Sequence, residues 1–319
     1  MRMTDLPATD LADRLRRRGV IVRIGPFVVR LGTTFRELVE PVHLLYRHYE
    51  LVDEGGIVDF DVRVEPAWSV RRPLTRLGKF LIDGEPAFAP FPRAIALPMM
   101  EWALNWCLFT RPQQYLILHA AVVEKHGRAL LLPGRPGSGK STLCAALVLR
   151  GWRLLSDEVA MMRPGTLDLI AAPLPVGLKD ASIDVIRQFD ASAVLGPSTP
   201  GTRKGTVAHM QPPEASISRV HETARPAWIA FPAWSPDAQR ACEPTSKART
   251  TMRLADDAVN FSILGTPAFH TLAELVDSCA CFDLRYSDLD DAIALLDRLA
   301  EGDDVDASPD APLTVEARS

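Results

Sequence analysis

The chain has 319 residues, 47% of them hydrophobic and 24% charged, with a formal net charge of -4. That length holds one large domain or two modest ones with ample core, and so small a charge excludes non-specific attraction to nucleic acid or an anionic membrane. No apolar run approaches the roughly 20 residues needed to cross a bilayer, and the five cysteines fit neither a zinc pattern nor a disulfide framework.

The opening stretch, MRMTDLPATDLADRLRRRG, lacks a signal-peptide core and reads as a helix led in by Thr9 or Asp10, so a cytoplasmic location is the expectation. Alternating apolar residues around Gly25-Pro26 predict a hairpin over Gly19–Thr34. Helical spacing follows in ELVEPVHLLYRHYEL. Strand patterns return in GIVDFDVRVEPAW and LGKFLIDGEPAFAPFP, and Leu97–Arg111 reads as a helix packing one face onto a core. Residues 1–110 thus form a strand-rich α+β lobe without a catalytic cluster, a scaffold or interaction lobe.

From Gln113 the character changes to the alternation of an α/β domain, taken as 111–300. Two apolar runs flank Lys125-His126-Gly127 and predict a hairpin that feeds a glycine-rich loop. The segment from Gly196 to Pro213, with Arg203-Lys204 inside it, reads as a mobile functional loop. Residues 301–319 read as a disordered acidic tail. Cys279 and Cys281 read as small buried residues on one strand face.

The glycine-rich loop, GRPGSGKS from Gly134 to Ser141, satisfies G-x-x-x-x-G-K-S between a strand (ALLLP) and a helix (STLCAALVLR) capped by Gly151. Its chemistry is nucleotide binding: glycines at 134, 137 and 139 let backbone N–H groups converge on phosphate oxygens, and the helix dipole adds to them. The cradle comprises Gly134, Arg135, Pro136, Gly137, Ser138, Gly139, Lys140, Ser141 and Thr142. Lys140 reaches the β- and γ-phosphates of ATP, and the Ser141 hydroxyl holds Mg²⁺.

After the helix, WRLLSDEV is a strand expected to carry Asp157 and Glu158 to the carboxyl edge of a parallel sheet, where ligands gather. Asp157 follows Lys140 by only seventeen residues, a spacing that favours phosphoryl transfer to a hydroxyl over motor-type ATP hydrolysis. A guanine-recognition N/T-K-x-D motif is missing after the loop, and the D-x-x-G at Asp53–Gly56 precedes it, which disfavours a GTPase. Asp157 is the candidate base and a metal ligand beside Ser141; Glu158 supports it. His119, alone among apolar neighbours in YLILHAAVV, reads by itself as a core histidine.

These residues together resemble the HPr kinase/phosphorylase superfamily, and within it the HPr kinase-related kinase A branch. The likeness rests on LHAAVV, GRPGSGKST, RGWRLLSDE, LPVGLKDASIDVIRQF, TRKGTVAH, EWALNWC and YSDLDDAIALLD. The resemblance implies a P-loop fold of the HPr kinase C-terminal and PEP carboxykinase-like kind. It makes Asp157 the base toward a serine hydroxyl and His119 a neighbour of the acids. Lys179 stands about where the family has a glutamate-containing signature, so that Lys179, Arg203 and Lys204 become candidates for contacts to the γ-phosphate or the acceptor. The implied acceptor is a peptide or small protein, in company with a peptide-binding chaperone of the PqqD type, and relatives form homo-oligomers. A nucleotide-binding scaffold without transfer activity and a small-molecule hydroxyl kinase are the alternatives.

Overall fold

The computed structural model describes residues 1–53, 55–67 and 76–302. It divides into two compact units that are interleaved in sequence: Met1–Arg111 with Ala172–His221, and Pro112–Ala171 with Glu222–Ser319. The leading segment of the first unit ends at Arg111. The stretch 172–221, however, leaves the second unit and belongs to the first. Side chains far apart in sequence explain this: the Tyr49 hydroxyl donates to Pro173 O at 2.8 Å, Gln211 donates to Leu44 O, and Arg2 pairs with Glu214. The acidic tail lies, beyond 302, outside the described residues.

In the first unit Ala8–Arg17 is helical, with Pro7 rather than Thr9 or Asp10 at its N-cap; Asp10 sits in the first turn, where its charge complements the dipole. Val20–Ile24 and Phe27–Thr33 form the expected hairpin, and Phe60–Ala67 joins Phe27–Thr33 in parallel through a crossover containing the helix Val39–Leu45. Leu77–Ile82 closes the run antiparallel to Phe60–Ala67, with Glu85–Pro86 and Phe91–Pro92 as short edges. The helix predicted over Leu97–Arg111 spans Ala96–Thr110. The loop expected over 196–213 is ordered into strands instead. Thr199–Thr202 and Gly205–Met210 form a hairpin, and Val176–Lys179 pairs with its second strand. The Asp180 carboxylate accepts from Thr206 N at 2.9 Å and stands where a Cβ on Gly205 would fall, so the turn is held rather than free.

The second unit is an eight-stranded mixed sheet. Its order runs Leu169–Ile170, Val159–Met162, Leu116–Lys125, Arg128–Pro133, Arg225–Trp234, Ala280–Tyr286 and Ala241–Pro244, with Arg153–Ser156 also pairing Leu116–Lys125. Arg128–Pro133, Arg225–Trp234 and Ala280–Tyr286 are mutually parallel; the other pairings are antiparallel. Its centre is continuously apolar, as a strand buried on both faces requires: Leu116, Ile117, Leu118, Ala120, Ala121, Leu130, Leu131, Leu132 and Ile229 are fully buried. The helices Lys140–Leu149, Lys247–Asp257, Phe261–Leu264, Thr266–Ser278 and Leu289–Glu301 belong to the same unit. All five cysteines are free and buried, and burial pushes their thiols up, which suits inert packing residues. Among the described residues no helix is long and apolar enough to cross a membrane.

Candidate functional site

Everything in the candidate site is measured from one strand, Leu116–Lys125. Arg128–Pro133 follows it through a two-residue turn in which His126 and Gly127 both have positive φ, the geometry favoured between antiparallel strands. That strand ends at Pro133 and releases the phosphate loop. On the opposite edge of Leu116–Lys125 lie, in succession, Arg153–Ser156 and Val159–Met162, with Ser156 across from Val122 and Val159 across from His119. Asp157 and Glu158 form the bend between the two, alongside Ala120 and Ala121. The expected all-parallel sheet is corrected at this point: the acid strand runs in the same direction as the loop strand, but the antiparallel Leu116–Lys125 lies between them. The Ser156 hydroxyl shapes the bend by accepting from Val159 N at 2.9 Å and Glu158 N at 3.3 Å.

A buried ion pair locks this layout from below. Arg153 and Glu124, opposite each other in the register, are almost completely enclosed. Arg153 donates to Glu124 and, at 2.9 Å, to Glu222 O, while Glu124 accepts from Gly127 N at the hairpin turn.

The loop is shaped as a cradle. Gly137 and Gly139 have φ of 89° and 88°, and Ser138 N donates to Arg135 O at 3.1 Å. Trp234 N donates to Ser138 O at 3.0 Å and the Tyr286 hydroxyl to Gly139 O at 3.2 Å, so the two neighbouring strands hold the loop from behind. A Cβ on Gly139 would lie 2.4 Å from Tyr286 Oη and 2.8 Å from Trp234 Cβ; one on Gly134 would lie 2.7 Å from Ser138 Oγ. Arg135, Pro136 and Gly137 are exposed at the tip. The helix starts at Lys140, so the N–H groups of Lys140, Ser141 and Thr142 lack intrahelical acceptors and are disposed to receive an anion.

Lys140 turns inward. It is 8% exposed, and its Nζ lies 3.1 Å from His119 Nε2, which is 3.7 Å from Glu158 Oε1. Burial lowers the Lys140 ammonium's affinity for its proton, and Glu158 and Asp157 push it back up. Asp157 is 4% exposed. The structure thus brings together His119, Lys140, Asp157 and Glu158 on the second unit, and His119 is a member of the cluster rather than a core histidine. Ser141 and Asp157 are oxygen donors of the kind Mg²⁺ prefers, with phosphate and water able to complete its shell. Among the described residues no group of three His, Cys, Asp or Glu side chains is arranged to hold a metal.

No family model matches the chain, and no curated protein matches it.

Lys179, Arg203 and Lys204 all belong to the first unit. Lys179 ends a strand, with its backbone N–H bonded to Ser182 Oγ at 2.7 Å; Arg203 and Lys204 occupy the hairpin turn, and the Lys204 ammonium sits 4.9 Å from the Trp102 ring centroid. Sequence reasoning missed Ser156, Trp234, Tyr286 and Asp257. For Asp257 a signal was present: Asp256-Asp257 follows a helical run, in a position where the dipole disfavours acids.

Proposed function

We propose that this protein is an ATP-dependent kinase of the P-loop, HPr kinase-related type that transfers the γ-phosphate to a serine hydroxyl of a peptide or small protein. The observation that carries the reading is the bend of buried Asp157 and half-buried Glu158 set beside the His119–Lys140 contact, on and along the strand that pairs with the one launching the loop. A cradle alone would support nucleotide binding only. A carboxylate pair next to the loop lysine adds a proton acceptor, which transfer to an alcohol uses.

In this reading the loop amides and Lys140 hold the triphosphate in line with the acceptor. The acceptor oxygen forms a bond to the γ-phosphorus as the bond to the β,γ-bridging oxygen breaks, ADP leaves, and Asp157 takes the hydroxyl proton. Ser141 and Asp157 would hold Mg²⁺, which supplies neutralisation of the phosphate charge. Positioning and fixed charge provide most of the acceleration in such reactions, so few groups suffice.

The test is transfer from γ-labelled ATP to serine peptides. Asp157→Asn is expected to keep nucleotide binding and to lose at least about 100-fold in turnover. Near-normal turnover would remove Asp157 as the base. Tight ATP binding by the wild-type chain without any transfer would point to a nucleotide-dependent scaffold instead.

A further inference from the structure

The helix Lys247–Asp257 ends in two acids, where the carbonyl end of its dipole favours cations. A local rule broken in this way is found where function holds a residue against its preference. Directly after it the chain is pinned to the His119 strand. Leu118 and Ala258 form an antiparallel bridge, and Val259 N donates to Ile117 O at 2.9 Å. The buried Asn260 side chain accepts from Ile117 N at 3.0 Å and donates to Tyr115 O at 2.8 Å. Leu118 already pairs with Ala160 on one edge, so Ala258 occupies the other, the edge that the P-loop strand vacates at Pro133. Continuing this register by one residue sets Asp257 across from His119, with Val159 across from His119 on the far edge.

The charges agree with this placement. Burial holds the Asp257 carboxyl above the ordinary range, and His119 and then Lys140 are the charges that draw it back down. Asp257 is in turn among the acids that push Lys140 up. Asp256 and Arg253, from the same helix, also act on Asp257.

We infer that Asp257 is a positioning residue of the site: a third carboxylate, on the opposite edge of the strand from Glu158, that holds the His119 imidazole in place against Lys140. The kinetic part of this inference rests on the kinase reading; the structural part does not. Asp257→Asn is expected to lower kcat about tenfold (~1.4 kcal/mol) while leaving ATP affinity within about twofold and thermal stability undiminished. Asp257→Glu should recover part of the loss. His119→Gln with Asp257→Asn should be no worse than His119→Gln alone, because both remove one device. A wild-type kcat in Asp257→Asn, or losses that add with His119→Gln, would overturn the assignment. The second readout needs no turnover. With ring-labelled histidine, and His119 identified by its disappearance in His119→Gln, Asp257→Asn should shift the His119 imidazole resonances of the free protein. Unshifted resonances would overturn the inference by themselves. Absence of transfer by the wild-type chain would instead count against the kinase reading.

Discussion

Gly139→Ala is the sharpest test of the cradle. The residue sits at φ 88°, and the added methyl would fall 2.4 Å from Tyr286 Oη and 2.8 Å from Trp234 Cβ. A left-handed backbone costs an L-residue about 1–2 kcal/mol, and forced overlap in a packed site about 1–3 more, so a total of about 2–5 kcal/mol is expected. The melting temperature should fall by roughly 5–15 °C on that account. The strain can be relieved only by moving Gly139 off the two strands behind it, which re-aims the amides of Lys140 and Ser141. ATP affinity measured by calorimetry should therefore fall at least ~10-fold. Tyr286→Phe separates the contributions. Alone it removes the hydroxyl's bond to Gly139 O, worth about 1 kcal/mol. Combined with Gly139→Ala it removes the closest clash, leaving the Trp234 Cβ and the ring carbon at 3.3 Å, and should return part of the lost stability. A Gly139→Ala protein that melts and binds ATP like the wild type would refute the argument that Tyr286 and Trp234 hold the loop.

Lys140→Met should weaken ATP binding ~100-fold by removing charge-assisted bonds to phosphate. It should also raise the melting temperature of the free protein at neutral pH, since burial disfavours the ammonium; a lower melting temperature would contradict that. Asp257→Asn should stabilise the free protein at about pH 7, and the gain should vanish at about pH 3. The sign follows from the raised carboxyl. Its contribution to stability is fully present below the ordinary aspartate range and is lost as pH rises through the raised value, so the ionised group is a burden at neutrality. Denaturation curves at the two pH values check this. Glu124→Gln leaves Arg153 buried without its counter-charge and should cost about 3–5 kcal/mol in urea unfolding; a loss below about 1 kcal/mol would show the pair to be dispensable.

The glycine-rich loop was legible because its bend uses glycine at fixed positions: Gly137 and Gly139 take positive φ, and a Cβ on Gly134 would meet Ser138. Asp157 and Glu158 were legible as a strand-end pair one helix beyond it. The strand that intervenes between them was not, because a spacing of seventeen residues is the same whether the acid strand lies beside the loop strand or one strand away. His119 read as core because its partners, Lys140 and Glu158, meet it only through the sheet. The acids at the end of Lys247–Asp257 break a local rule, but where Asp257 sits depends on the bridge between Leu118 and Ala258, which no local pattern encodes. The allotment of 172–221 to the first unit rests likewise on remote bonds such as Tyr49 to Pro173. The hairpin over Thr199–Met210 has the sequence of a loop because Gly, Pro, Ser and Thr signal irregular backbone, while the Asp180 brace that orders it comes from outside the segment.

Because the loop strand and the acid strand are each hydrogen-bonded to Leu116–Lys125, their separation is two strand spacings, about 10 Å, and owes nothing to the length of chain that joins them. The helix and the Gly151 turn between them are a connection rather than a ruler. A circular permutant opened at Arg150-Gly151, with the old ends joined by a flexible linker, should keep cradle and acids facing each other.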